Sequence, residues 1–146
     1  MKYFAYGSNM DKNRMIERKI NYTSRKFARL ENHKLVFNKK AKDGNFSYAN
    51  IEFSVGKFVE GAIYEFPDFE ISKLDKAEGF PKHYNKVDFV VNDHNNNPVN
   101  VVAYIAQQDM IVNGLLPTSS YLNHLLAGKD ILTAEYFETL LNTKTI

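Results

Sequence analysis

Two short stretches carry residue types suited to acid–base and carbonyl chemistry. The first is Tyr6-Gly7-Ser8-Asn9, which follows a strand-like run from Lys2 to Tyr6 and precedes a short helical stretch around Asp11 to Arg18. Glycine at such a junction permits backbone that a β-carbon forbids, so successive N–H groups can converge on an anion such as a carboxylate. The alternative is a tight turn with no ligand, and the tetrapeptide matches neither a dinucleotide fingerprint nor a P-loop. The second stretch is Leu74-Asp75-Lys76-Ala77-Glu78-Gly79-Phe80-Pro81. Glu78 falls four residues after Leu74 and seven after Ile71, so a helix projects its carboxylate from the face that buries those side chains. Gly79 and Pro81 stop the helix there, leaving the charge in the last turn against the negative end of the macrodipole. Desolvation and the dipole both raise the pKa of such a group, which suits it to take and return a proton near neutral pH. A rotated or shorter helix would instead leave Glu78 solvated or paired with a lysine, and Asp75 and Lys76 read as solvent-facing.

Two tyrosines accompany the acid. Tyr84 stands six residues after Glu78 at the mouth of a strand-like run, and Tyr121 borders the apolar stripe of a helix that carries Leu125. Each hydroxyl can hydrogen-bond a carboxylate or a substrate group, or its ring can serve packing alone. His33, His83, His94 and His124 have no metal-ligand spacing, and neither H-E-x-x-H nor G-x-S-x-G occurs, so no metal, no cofactor and no nucleophile at Ser8 is expected. There is no cysteine, which removes disulfides and thiolate chemistry. The basic segment Lys39-Lys40-Ala41-Lys42 either meets an acidic substrate tail or forms a solvated loop.

These residues need a scaffold, and the hydrophobic periodicity outlines one. Period-2 alternation over Tyr48 to Phe53, Lys86 to Asn92 and Val99 to Ala106 predicts strands with Ala49, Ile51, Phe53, Val87, Phe89, Val91, Val99, Val101, Ala103 and Ile105 facing inward. Phe58 to Phe66 is apolar on both faces, and with Lys2 to Tyr6 and Lys34 to Asn38 about six strands are available for a curled sheet or small barrel. Asn92 to Asn97 reads as a hairpin loop. Helical spacing appears at Ile71, Leu74 and Ala77, at Leu122, Leu125 and Leu126 before Gly128, and at Ala134, Phe137, Leu140 and Leu141 behind a Thr133 cap. Strands in the middle and helices at the end, without βαβ alternation, predict an α+β fold.

The composition bounds the remaining classes. A chain of 146 residues that is 44% hydrophobic is expected to fold as a single domain over 1–146 with a real core. A net charge of +2 gives no electrostatic case for nucleic acid or anionic lipid. The apolar stretch at the start is shorter than a signal peptide's core and no run approaches spanning length, so a cytoplasmic location and no membrane partner are expected.

Tyr3-Phe4-Ala5-Tyr6-Gly7-Ser8-Asn9-Met10, then Leu74-Asp75-x-x-Glu78-Gly79-Phe80-Pro81-x-x-Tyr84, then Pro117-x-x-x-Tyr121 resemble the γ-glutamylcyclotransferase-like proteins in order and spacing. The resemblance implies a small barrel-like α+β fold and conversion of a γ-glutamyl amide to 5-oxoproline plus a free amine. It implies Glu78 as proton acceptor, the Tyr6 to Asn9 loop as the cradle of the glutamyl end, and Tyr84 and Tyr121 as pocket walls. Glutathione-specific members resemble this pattern but carry leucine after Tyr-Gly-Ser, where Asn9 stands here, which favours γ-glutamyl amino acids or amines as substrates. A homodimer is implied by analogy alone. Two other readings remain open: a binding module of the same fold without turnover, and single-stranded nucleic-acid binding through aromatics interleaved with lysines, as in Lys2-Tyr3-Phe4 and Lys57-Phe58.

Overall fold

The computed structural model describes residues 1–146. Five strands, β1 (Lys2–Ala5), β2 (Ser24–Lys40), β3 (Ser47–Glu65), β4 (Tyr84–Asn92) and β5 (Pro98–Ala106), close into a barrel in the order β1-β3-β2-β4-β5. Four short helices, α1 (Lys12–Glu17), α2 (Ile71–Glu78), α3 (Ser119–Leu126) and α4 (Ala134–Leu141), accompany it. The fold is α+β, as the element pattern predicts. All pairings are antiparallel except β1 with β5, which meet in parallel at Tyr3 and Val102 and complete the closure. No helix is long and apolar enough to cross a membrane.

The expected count of about six strands becomes five because two predicted runs are one strand. Tyr48 to Phe53 and all of the Phe58 to Phe66 run except its last residue lie in β3, joined through an irregularity where Glu31 pairs Phe58 but His33 pairs Phe53. Asn32 and Gly56 adopt left-handed backbone there, and the Asn32 side chain accepts from the Gly56 amide at 3.1 Å. A bulge of this kind kinks and twists the ribbon locally. Phe53 beside it is 70% exposed against expectation, while Asn50 on the predicted outer face is buried, close to a second register shift between Phe37 and Lys39. The Asn50 side chain accepts from the Ala106 amide and donates to Asn38, so its polarity is satisfied inside.

Alternate residues of β1, together with Tyr6, which directly follows it, feed two cores. Phe4 and Tyr6 join Ala28, Leu30, Ile51, Val59, Val91 and Val101 in a cluster drawn from all five strands, the barrel interior. Tyr3 and Ala5 point the other way, into a cluster with Met10, Met15, Leu74, Leu122, Leu125, Tyr136 and Leu140, under the helices. Each fully buried large side chain contributes about 1.5–3 kcal/mol, so the helices are held mainly by this layer. Thr133 caps α4 by accepting from the Tyr136 amide at 3.2 Å, as its position predicts. The buried stripe of α4 is Tyr136 and Leu140, whereas Ala134 and Leu141, expected on that face, are exposed.

Candidate active site

The end of β1 delivers Tyr6-Gly7-Ser8-Asn9 into a single 3-10 turn at Ser8–Met10 that leads directly to α1. Helix α1 begins behind Asp11, whose carboxylate accepts from the Asn13 amide at 3.0 Å. The amides that open the 3-10 turn have no carbonyl one turn back to bond, so they remain available to a ligand. The loop is braced from below: Tyr64 donates to the Asn9 carbonyl at 2.7 Å and Arg25 to the Met10 carbonyl at 2.7 Å. Arg25 in turn donates to the Tyr64 oxygen at 3.2 Å and pairs with Asp130 at 2.7 Å.

Helix α2 delivers the acid. Ile71, Leu74 and Glu78 lie on one side, and Gly79 closes the helix in left-handed backbone at φ 66°. A β-carbon at Gly79 would also approach the His83 ring to 2.6 Å. Ala77, expected on the buried face, is exposed because it is turned about 100° from Glu78 on the helix. Asp75 is not solvent-facing as its position suggests: it accepts from the Tyr104 hydroxyl at 2.6 Å and pairs with Lys86 at 3.0 Å. Those partners come from β5 and β4, so the contact is set by barrel packing and not by α2 alone.

Loop and acid meet directly. The buried Asn9 amide donates to Glu78 Oε1 at 2.9 Å and to the Tyr3 hydroxyl at 3.0 Å, while its carbonyl oxygen accepts from Arg18. Burial pushes the Glu78 carboxyl above the usual carboxylate range, opposed in part by Arg18, the Asn9 hydrogen bond, Arg14 and Lys39. Tyr84 donates to the Ala49 carbonyl at 2.9 Å and Tyr121 accepts from the Ala49 amide at 3.1 Å, so two tyrosines grip the backbone of one residue of β3. Having accepted that bond, Tyr121 keeps its proton to donate, and burial pushes its pKa up to about 12, so it stays a hydroxyl at neutral pH. Tyr6 donates its own proton to the Tyr104 carbonyl, which makes it a wall of the site and not a free donor.

All seven residues singled out from the sequence, Glu78, Tyr6, Gly7, Ser8, Asn9, Tyr84 and Tyr121, line one inner recess of about 30 Å³. Tyr3, Ala49 and Tyr104 complete it. Ser8, Glu78, Tyr84 and Tyr121 also border a wider outer cleft of about 410 Å³ that adds Arg14, Arg18, Lys39 and Tyr48. Arg14 and Arg18 were legible as a pair, since residues four apart share a helix face. Tyr104 had no local signal, because it falls in the polar phase of an ordinary strand alternation.

Lys39 corrects the solvated-loop alternative for the basic segment. It is the penultimate residue of β2 and only 4% exposed. The register of β2 slips between Phe37 and Lys39, so Asn38 is an extra residue and both Asn38 and Lys39 turn inward. In a regular strand two neighbours face opposite sides, and only a bulge lets both be buried.

Among curated proteins none matches the chain by sequence. Solved structures do match in shape. A protein described as gamma-glutamyl cyclotransferase superposes with a TM-score of 0.87 at 24% identity, covering 100% of this chain and 89% of its own. An uncharacterized protein from Homo sapiens gives 0.87 at 24% identity, covering 99% of this chain and 88% of its own. A gamma-glutamyl cyclotransferase specific to glutathione from yeast gives 0.71 at 13% identity, covering 97% and 93%. At these identities the likeness establishes the fold. The family model described as gamma-glutamyl cyclotransferase, AIG2-like, matches residues 3–123, a span that contains the Tyr6 loop, Glu78, Tyr84 and Tyr121. The chain therefore belongs to the AIG2-like gamma-glutamyl cyclotransferase family.

Proposed function

We propose that this protein is a cofactor-independent γ-glutamylcyclotransferase that converts a γ-glutamyl amino acid or γ-glutamyl amine to 5-oxoproline and the free amine. The observation that carries the reading is the 2.9 Å hydrogen bond from Asn9 to Glu78, which ties the amide-bearing loop to a carboxylate of raised pKa across one recess. In such a substrate the α-amine attacks its own γ-carbonyl, so a new C–N bond closes the five-membered ring and the original amide C–N bond breaks. The nucleophile arrives with the substrate, and effective molarity replaces a covalent enzyme intermediate. An α-amine with pKa about 8 must be deprotonated as it attacks, and the departing nitrogen must gain a proton. Glu78 takes the first proton and returns it to the second. The oxyanion formed on the γ-carbonyl is met by loop amides and the Tyr121 hydroxyl.

The test is 5-oxoproline release from a panel of γ-glutamyl amides by the wild-type protein and by Glu78→Gln. Turnover that disappears in the variant supports the reading. Turnover that survives Glu78→Gln removes Glu78 from the mechanism, and tight binding of every amide without product selects the non-catalytic binding module.

A further inference from the structure

The two volumes joined at Glu78 differ sharply in charge. The inner recess contains no cationic side chain. The outer cleft is bordered by Arg14, Arg18, Lys39, Lys42, Lys76 and His83, with Glu78 as its single acid. The whole chain carries a net charge of only +2, so this is a local concentration. The six ion pairs in the molecule involve none of the five cleft arginines and lysines.

Lys39 makes the imbalance most plain. Its ammonium donates to the Lys40 carbonyl at 3.1 Å and lies 3.0 Å from His83 Nδ1. The rings of Tyr48 and Tyr84 stand 5.8 and 5.7 Å away. No carboxylate pairs with it, although it is 4% exposed and burial pulls its pKa down. Nearby, Arg14 Nε is buried without an acceptor. Glu78 is the one acid whose charge acts on Lys39, and it is shared with Arg14 and Arg18, so the cations outnumber their counter-charge and an anion entering the cleft relieves the imbalance.

We propose that the outer cleft holds the leaving amine, and that it selects γ-glutamyl conjugates of amines bearing two or more carboxylates, such as an acidic amino acid or an acid-rich peptide. The proposal rests on the cyclotransferase reading for its geometry: Glu78 must reach the leaving nitrogen, so the group attached to that nitrogen extends from Glu78 into the cleft. The α-carboxylate of the glutamyl end answers one or two of the five cations. Lys42 and Lys76 are exposed and hydrated, so it is the buried Lys39 and the half-buried arginines that favour negative charge on the leaving side.

The test compares γ-glutamyl-glutamate with γ-glutamyl-glutamine, which differ by one charge at nearly equal shape, at low ionic strength. The expected kcat/KM is about tenfold higher for the glutamate conjugate, the size of one well-placed charge contact, carried mainly by KM and shrinking with added salt. Lys39→Met, which keeps the aliphatic stem, brings the ratio toward one. Equal values for the two conjugates in the wild-type protein overturn the selectivity while leaving the cyclotransferase reading intact. If neither conjugate is turned over, calorimetric binding of the same two compounds decides: tighter binding of the glutamate conjugate upholds the cleft assignment as the reaction fails, and equal or undetectable binding overturns it.

Discussion

Glu60, in β3, has no exposed surface, and every approach to its carboxylate is occupied: Arg29 at 2.9 Å, the Thr133 amide at 2.9 Å and the Thr133 hydroxyl at 2.8 Å. Glu78, at the end of α2, is half-buried and has one side-chain donor, the neutral Asn9 amide, with no ion pair. Both groups bring a carboxylate into protein, but Glu60 is spent on anchoring the start of α4 and Glu78 retains acceptor capacity toward a cavity. A buried acid with all its lone pairs answered is a brace. One left underserved beside a ligand-sized space is available for chemistry.

That contrast can be broken at either end. Glu78→Gln is expected to lower kcat by about 10²–10⁴-fold, the usual worth of a positioned proton shuttle, with the fold intact by circular dichroism. Glu60→Ala should do the reverse: a loss of about 2–4 kcal/mol from the orphaned arginine and the weakened Thr133 cap, read by urea unfolding, with 5-oxoproline release per folded molecule retained. A large catalytic loss in Glu60→Ala, or a collapse of stability in Glu78→Gln, would erase the distinction.

Smaller effects sharpen it. The Asn9 hydrogen bond holds the Glu78 pKa down, so Asn9→Ala moves the acid limb of the kcat/KM profile to higher pH and lowers the rate at pH 6 on the order of tenfold. An unmoved limb would mean that another group titrates. The last expectation concerns stability. Because the folded pKa of Glu78 is raised, the folded chain binds that proton more tightly than the unfolded chain. Its contribution is therefore intact below the unfolded pKa of about 4.3 and is lost as pH rises through the folded value. Glu78→Gln removes this titration, so the variant should melt a few degrees above wild type at pH 8, with the gap closing below pH 4.

Much of the site was legible because it is built from local rules. Glu78 projects with Leu74 and Ile71 through helical spacing, Gly79 stops the helix, and Gly7 follows a strand. Asp75 was misread because its partners, Tyr104 and Lys86, lie 29 and 11 residues away on other elements. The strand count of about six came out close, one above the five observed, for a related reason: the Asn32 and Gly56 irregularity interrupts the hydrophobic alternation without ending the strand.

Sequence alone determined what three or four neighbouring residues can settle among themselves: roughly where helices start and stop, the Leu74 and Leu140 positions that anchor their buried sides, and that an acid lies on the wrong face of one of them. Only the tertiary structure decided that this acid meets Asn9, that Tyr84 and Tyr121 close on Ala49, and that a bulge at Asn38 turns Lys39 into the cleft. The physical reason is distance along the chain. Barrel closure and register join segments tens of residues apart, and a one-residue slip reverses which face a side chain takes.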